Sequence, residues 1–363
     1  MMATTQGRGR TGKKKTRWGC SGCLFFLLPL FLVAAGFAGW AWWRVQHPFQ
    51  GYPGSERLVT IAPGTSASLA ITHLESEGVL ADARLARLYL RFRMGNRPIQ
   101  AGEYRFRGPL NTEQVLGKLI RGDVINLLVT LVEGMTLEET ADKLVDSKLG
   151  RREVLLDLMR SPELIADLDP EAKDLEGYLL PDTYSFAPKT DEKVVVATIA
   201  KTFHTRYEHQ ILPLRDRHPD RTLRQIVILA SIVEKEAKMP TERPIIAGVY
   251  SNRVNRHIGL AADPTVIYAL KKLGRWDGNI HKADLQVDSP YNTYRYAGLP
   301  PGPICSPGIA SLIAAADPAD VPYLYFVSRN DGTHVFSTTL EEHNRNVEIW
   351  QKRYWREKRA HGG

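Results

Sequence analysis

TLRQIVILASIVEKEAKM, residues 222–239, is the stretch from which the larger folded part of this 363-residue chain is read. Thr222 and Gln225 have the T-x-x-Q spacing of a capping box, which satisfies amide groups left unpaired at a helix start, and Pro240 lacks the N–H that a continuing helix needs. A helix with both ends defined is therefore expected. At 100° per residue Ile226, Leu229, Ala230, Val233 and Ala237 share one apolar face, Lys235 lies opposite, and Glu234 and Glu236 fall on opposite flanks. Two carboxylates so placed cannot face one pocket together, so at most one of them is a working acid. Taken alone, E-K-E at a helix end is an ordinary solvated charge run.

Outward from that helix the pattern is mixed. Upstream, LVTI (58–61) and EYRF (103–106) alternate like strands, residues 66–77 and 81–94 read as helices, Asn111 can cap a helix over 112–121, and INLLVTLV (125–132) is a third β-type run. Thr136 and Glu139 form a second capping box. Downstream, helical patterns run to a Pro- and Gly-rich stretch at 298–308. YLYFV (323–327) and THVFST (333–338) then flank an Asp-Gly turn, the mark of a hairpin, before an amphipathic helix over 340–358. An α+β fold class follows. The expected divisions are a linker at 44–56, a small β-α-α-β subdomain at 57–132, a mixed α+β domain at 133–358 and a tail at 359–363.

Residues 18–43 carry no charge and exceed the roughly 20 residues needed to cross a bilayer, so a single transmembrane helix is expected there. Six Lys or Arg and no acid lie in the tail 1–17, which keeps the N-terminus cytoplasmic, the rest extracytoplasmic and the chain in the plasma membrane. The run is longer than a signal-peptide core and closes on Trp40, Trp42 and Trp43. Those six charges account for most of the net +8, so no nucleic acid is expected as a partner. Three cysteines build no disulfide framework, and Cys305 reads as a packed thiol. His334 and His343 share no ligand spacing with another His, so neither metal nor cofactor is expected.

Read together, ASIVEKE (230–236), DPTV (263–266), YNTY (291–294) and GLPPGPI (298–304) resemble the YceG-like family of endolytic murein transglycosylases. LVEGMTLEETADKL (131–144) and LEGYLLPDTYSF (175–186) are similar to it as well. The resemblance implies that Glu236 is the catalytic residue, that 57–132 is a LysM-like glycan-binding unit, and that the substrate is peptidoglycan. It further implies cleavage within nascent glycan strands, with the muramic acid C6 hydroxyl as internal nucleophile and a 1,6-anhydro end as product. Peptidoglycan synthases are the partners such an enzyme would meet.

A glutamate near its ordinary pKa is ionised at neutral pH, so an acid role requires a site that desolvates Glu236. Tyr291, Asn292, Thr293 and Tyr294 offer rings and amides for sugar contact, or else order a turn. Asp263 either caps the helix that Pro264 opens or joins the site. Glu234, Glu176, Tyr178, Asp182 and Tyr184 complete the candidate substrate contacts. The competing functions are a glycan-binding scaffold without catalysis and a hydrolase that uses Asp263 as a second carboxylate. Neither H-E-x-x-H nor G-x-S-x-G occurs, which speaks against a protease or esterase.

Overall fold

Helix α1 (Ser21–Gln46) opens the computed structural model, which describes residues 21–218, 220–354 and 356, those at 21–28 by backbone alone. The basic tail, residues 18–20 of the apolar run and the tail 359–363 lie outside the described residues. Among the described residues no helix is long and apolar enough to cross a membrane. The helix runs three residues past the expected span, and Val45 in its last turn is buried. The segment expected as a linker is held in place too: Phe49 pairs with Leu110, and the Tyr52 hydroxyl donates to the Gly108 carbonyl at 3.0 Å.

Strand β1 (Glu56–Ile61), helices α2 (Ala67–Ser76) and α3 (Ala83–Phe92), strand β2 (Gly102–Arg107) and helix α4 (Thr112–Arg121) follow. The two strands pair antiparallel, Glu56 opposite Arg107 and Ile61 opposite Gly102. Each helix begins where the sequence supplies an oxygen for its free amides: Ser66, Asp82, and Asn111 in a complete capping box with Gln114. The helices bury Ile71, Leu74, Leu116 and Leu119 against Tyr104 and Phe106 of β2, each aliphatic side chain contributing about 1.5–3 kcal/mol by leaving water. This first unit ends at Ile125. The run expected to close it forms β3 (Leu127–Thr130) in the second unit instead.

The second unit contains α5 (Leu137–Asp146), α6 (Arg152–Met159), β4 (Thr183–Phe186), α7 (Glu192–Arg206), the short α8 (Leu212–Arg215) and α9 (Leu223–Glu236). After it come α10 (Arg243–Asn255), α11 (Asp263–Lys272), α12 (Ile309–Ala316), β5 (Tyr325–Ser328), β6 (His334–Ser337) and α13 (Leu340–Val347). Strand β3 pairs antiparallel with β4, and β5 with β6 across the expected turn, where Asn330 and Gly332 have positive φ. Helix α9 is the centre. Every residue from Ile226 to Val233 is buried, so it is enclosed on all sides rather than along one stripe. It ends at Glu236, three residues before the sequence pattern did. Met239 precedes proline and is held extended at ψ 126°, and Ala237 is extended as well, so the last turn cannot close.

Candidate active site

Because α9 stops at Glu236, this carboxyl stands at the end of a buried helix whose last carbonyls have no helical partners. The dipole there disfavours a negative charge. One neighbour donates to it: the hydroxyl of Tyr250, on α10, lies 3.0 Å from Oε1. Desolvation pushes the Glu236 pKa up to about 7; the Tyr250 bond opposes the shift, the negative charge of Asp263 adds to it, and Arg253 opposes it. Glu236 keeps part of its surface open, while Tyr250 is buried and its own pKa is raised by burial.

Asp263 is the first residue of α11, and it makes no capping bond. Its Oδ1 instead accepts the Tyr294 hydroxyl at 2.5 Å. Both side chains are exposed, leaving an acid and an aromatic ring accessible beside Glu236. The turn that presents Asp263 is fixed from two sides. Thr293 Oγ1 accepts the Ala262 amide at 3.0 Å, and the Thr293 carbonyl accepts the amide of Ala261, whose φ is +47°. Arg253 donates to the carbonyls of Leu260 at 2.6 Å and Gly259 at 3.3 Å. Asn292 is fully buried, its amide donating to the carbonyls of Leu285 and Val287. Of the Y-N-T-Y run, then, Asn292 and Thr293 order the loop and Tyr294 faces outward.

Glu234 points away from Glu236, as its flank requires. Its Oε2 accepts the Gly308 amide at 3.0 Å and the Ser311 hydroxyl at 2.8 Å, and its Oε1 accepts from Arg243 at 3.4 Å. It ties α9 to the start of α12. The Pro- and Gly-rich loop lies along the same helix, the Ile304 amide donating to Ser231 Oγ at 3.1 Å. Cys305 is a buried free thiol that donates to the Ser231 carbonyl.

The L-E-G-Y-L-L-P-D-T-Y candidates are not brought to Glu236. Tyr178 is buried and donates to Asp169; Tyr184 is buried in β4 and donates to the Leu180 carbonyl at 2.6 Å. Asp182 accepts the neighbouring Thr183 amide at 2.7 Å. Glu176 is 2% exposed, and its Oε2 accepts the Leu137 amide at 3.3 Å and the Tyr268 hydroxyl at 3.1 Å. Burial lifts its pKa to about 8. Tyr291 packs its ring 4.9 Å from that of Tyr268, and burial raises its pKa to about 12. Tyr250 and Arg253 were missed in the sequence because nothing local marks them. Their i, i+3 spacing puts both on one face of α10, but no local pattern ties that face to Glu236.

Among the described residues no three His, Cys, Asp or Glu side chains are grouped to hold a metal ion. What the cluster offers is one desolvated carboxyl able to carry a proton near neutrality, beside an exposed acid and ring.

Residues 59–349 match the YceG-like family. An endolytic murein transglycosylase of Bacillus subtilis strain 168 is 30% identical over 304 residues, covering 79% of this chain and 82% of that protein. One of Streptococcus pneumoniae serotype 2 strain D39 is 27% identical over 360 residues, or 89% of this chain, which spans only 64% of that protein's length. The crystal structure of a YceG-like protein from Listeria monocytogenes superposes with a TM-score of 0.55 at 31% identity, covering 80% of this chain and 98% of that one. With the motif residues, the fold and these matches in agreement over most of its length, the chain belongs to the YceG-like family.

Proposed function

We propose that the chain is a membrane-anchored endolytic lytic transglycosylase that cleaves the MurNAc–GlcNAc bond within nascent glycan strands, with Glu236 as acid and then base. The observation that supports this best is the carboxyl at the end of α9 whose pKa lies near 7. The substrate class comes from similarity to the endolytic murein transglycosylases of B. subtilis and S. pneumoniae.

With its pKa raised to about 7, Glu236 holds its proton near neutral pH, where an ordinary glutamate is ionised. That proton passes to the glycosidic oxygen as the C1–O bond breaks. The C6 hydroxyl oxygen of the same MurNAc bonds to C1, and its proton returns to the Glu236 carboxylate. The acid is restored, a 1,6-anhydro ring remains and no water is consumed, so no second carboxylate is needed as a base. Tyr250 holds Oε1 in place, and the Asp263 charge favours the protonated acid and a positive, oxocarbenium-like transition state. An internal attacker acts at high effective concentration, which leaves the protein to orient the sugar and exclude water.

The apolar run 18–43 behind a basic tail supports a single plasma-membrane span with the enzyme outside. The β-α-α-β order of the first unit supports a LysM-like glycan-binding role, and such a placement favours peptidoglycan synthases as partners and a role in ending strand elongation.

Mass spectrometry of purified, un-crosslinked strands digested by the full chain in detergent tests the reading, with Glu236→Gln as control. Internal cuts ending in 1,6-anhydromuramic acid are expected, with a loss of about 10³-fold in the variant. Reducing ends would instead indicate a hydrolase using Asp263, and strands bound but intact would indicate a scaffold.

A further inference from the structure

We infer that the first unit binds the phosphate headgroup of an anionic phospholipid in the cleft between Arg93, Arg97 and Arg121. This rests on the proposed membrane span over residues 18–43. The cleft has a volume of about 590 Å³ and is floored by Gly95, Gly117 and Ile120. Chain reversal after α3, with Gly95 and Asn96 at φ 65° and 52°, brings Arg93 and Arg97 to the same opening. Gly117 leaves room for the third guanidinium: a Cβ there would sit 3.1 Å from Arg121 Nη1.

These three cations have little to neutralise them. Arg97 has no hydrogen bond or ion pair among the described residues. Among the described residues Arg121 meets only Asp123, at 3.4 Å with both side chains more than half exposed, a pair of small value. The acid with an electrostatic influence on Arg93, Glu113, is already bonded to Gln46. Three guanidinium forks around one opening suit the oxygens of a phosphate, and among the described residues no aromatic ring lines the cleft to stack on a sugar.

Depth identifies the source of that phosphate. The Arg93 guanidinium lies 5.7 Å from the ring of Trp42, one of the tryptophans that close the apolar run. Tryptophans at such a boundary sit at headgroup level, so the cleft opens there too. On α3, Leu88 and Phe92 are exposed one turn apart, Phe92 by 74%, giving the apolar flank that a bilayer surface covers. Charge is partitioned in the same sense: residues 44–125 carry eleven basic and seven acidic side chains, whereas 126–363 carry 31 and 33.

Native mass spectrometry of the full chain released from nanodiscs of mixed phosphatidylglycerol and phosphatidylethanolamine tests the site. The wild type should retain phosphatidylglycerol preferentially. Arg93→Gln/Arg97→Gln/Arg121→Gln should weaken retention about a hundredfold, and the triple Lys variant should keep most of it. Equal retention by the Gln variant, no preference over phosphatidylethanolamine, or displacement by a prenyl pyrophosphate would each overturn the assignment. An unchanged thermal melting temperature of the Gln variant in detergent verifies its fold. Resistance of the bilayer-bound chain to an alkaline wash reads anchoring separately, so loss of the anchor and loss of the site are distinct results.

Discussion

The Glu236 carboxyl is acted on by groups of opposite effect, and this makes its titration adjustable in both directions. Tyr250 donates a hydrogen bond that favours the carboxylate, while Asp263 repels it. Replacing Tyr250 with Phe should raise the Glu236 pKa further, move the alkaline limb of kcat/KM above pH 7, and lower kcat about tenfold because Oε1 loses its orientation. Asp263→Asn should do the reverse to the limb, moving it below pH 7. The sign follows from the proposed acid: activity requires the protonated form, so it is full below the pKa and lost as pH rises through it. Profiles of kcat/KM on un-crosslinked strands decide the matter, and limbs that move the same way in both variants would remove Glu236 as the titrating acid. Asp263→Asn also separates two functions, since a hydrolase with Asp263 as its base would lose turnover outright instead of shifting its profile.

At the scale of elements, Glu234 fixes where α9 ends relative to α12 and α10. Its side chain is 7% exposed and Arg243, its ion-pair partner, is 12% exposed, so Glu234→Ala leaves that buried cation only the longer pair with Glu133, at 3.7 Å, and strands the Gly308 amide and the Ser311 hydroxyl. A loss of about 3 kcal/mol in urea unfolding is expected, with Ser311→Ala costing only about 1. Gly308 belongs to the same joint, because a Cβ there would fall 2.0 Å from Glu133 Oε1. Much of this level was legible in the sequence. The boxes at Thr136 and Thr222 formed as read, since capping depends on residues three apart. The all-round burial of α9 was hidden, because a helix's neighbours come from segments that its own periodicity does not encode. Tyr250 and Arg253 were invisible for the same reason: Tyr250 lies fourteen residues beyond Glu236 and reaches it only through the packing of α10 on α9. The choice between capping and site for Asp263 turned on Tyr294, 31 residues away.

Across the molecule, the sequence placed β3 with the strands before it, but Val129 sits opposite Tyr184 and the Thr130 and Thr183 hydroxyls meet at 2.9 Å, so the strand belongs to the second unit. Seven residues before β4, Glu176 joins the start of α5 to α11 through Leu137 and Tyr268, contacts 39 and 92 residues apart. Its Oε1 has no partner among the described residues, and burial lifts its pKa from 4.5 to about 8. With Glu236 at about 7, the second unit keeps two carboxyls protonated where the unfolded chain ionises them. Through these two groups the folded state binds more protons between pH 4.5 and 8, so the stability they contribute is fully present below pH 4.5 and is lost as pH rises through 7 and then 8. Glu176→Gln retains an oxygen to accept from Leu137 and Tyr268 without an ionisable proton. At pH 9 it should be more stable than the wild type by roughly 3–5 kcal/mol, and at pH 4.5 nearly equal to it. Urea unfolding of the full chain in detergent at the two pH values measures this. A Glu176→Gln variant no more stable than the wild type at pH 9 would mean that Glu176 ionises freely where it lies, and the neutral carboxyl at this joint would have to be abandoned.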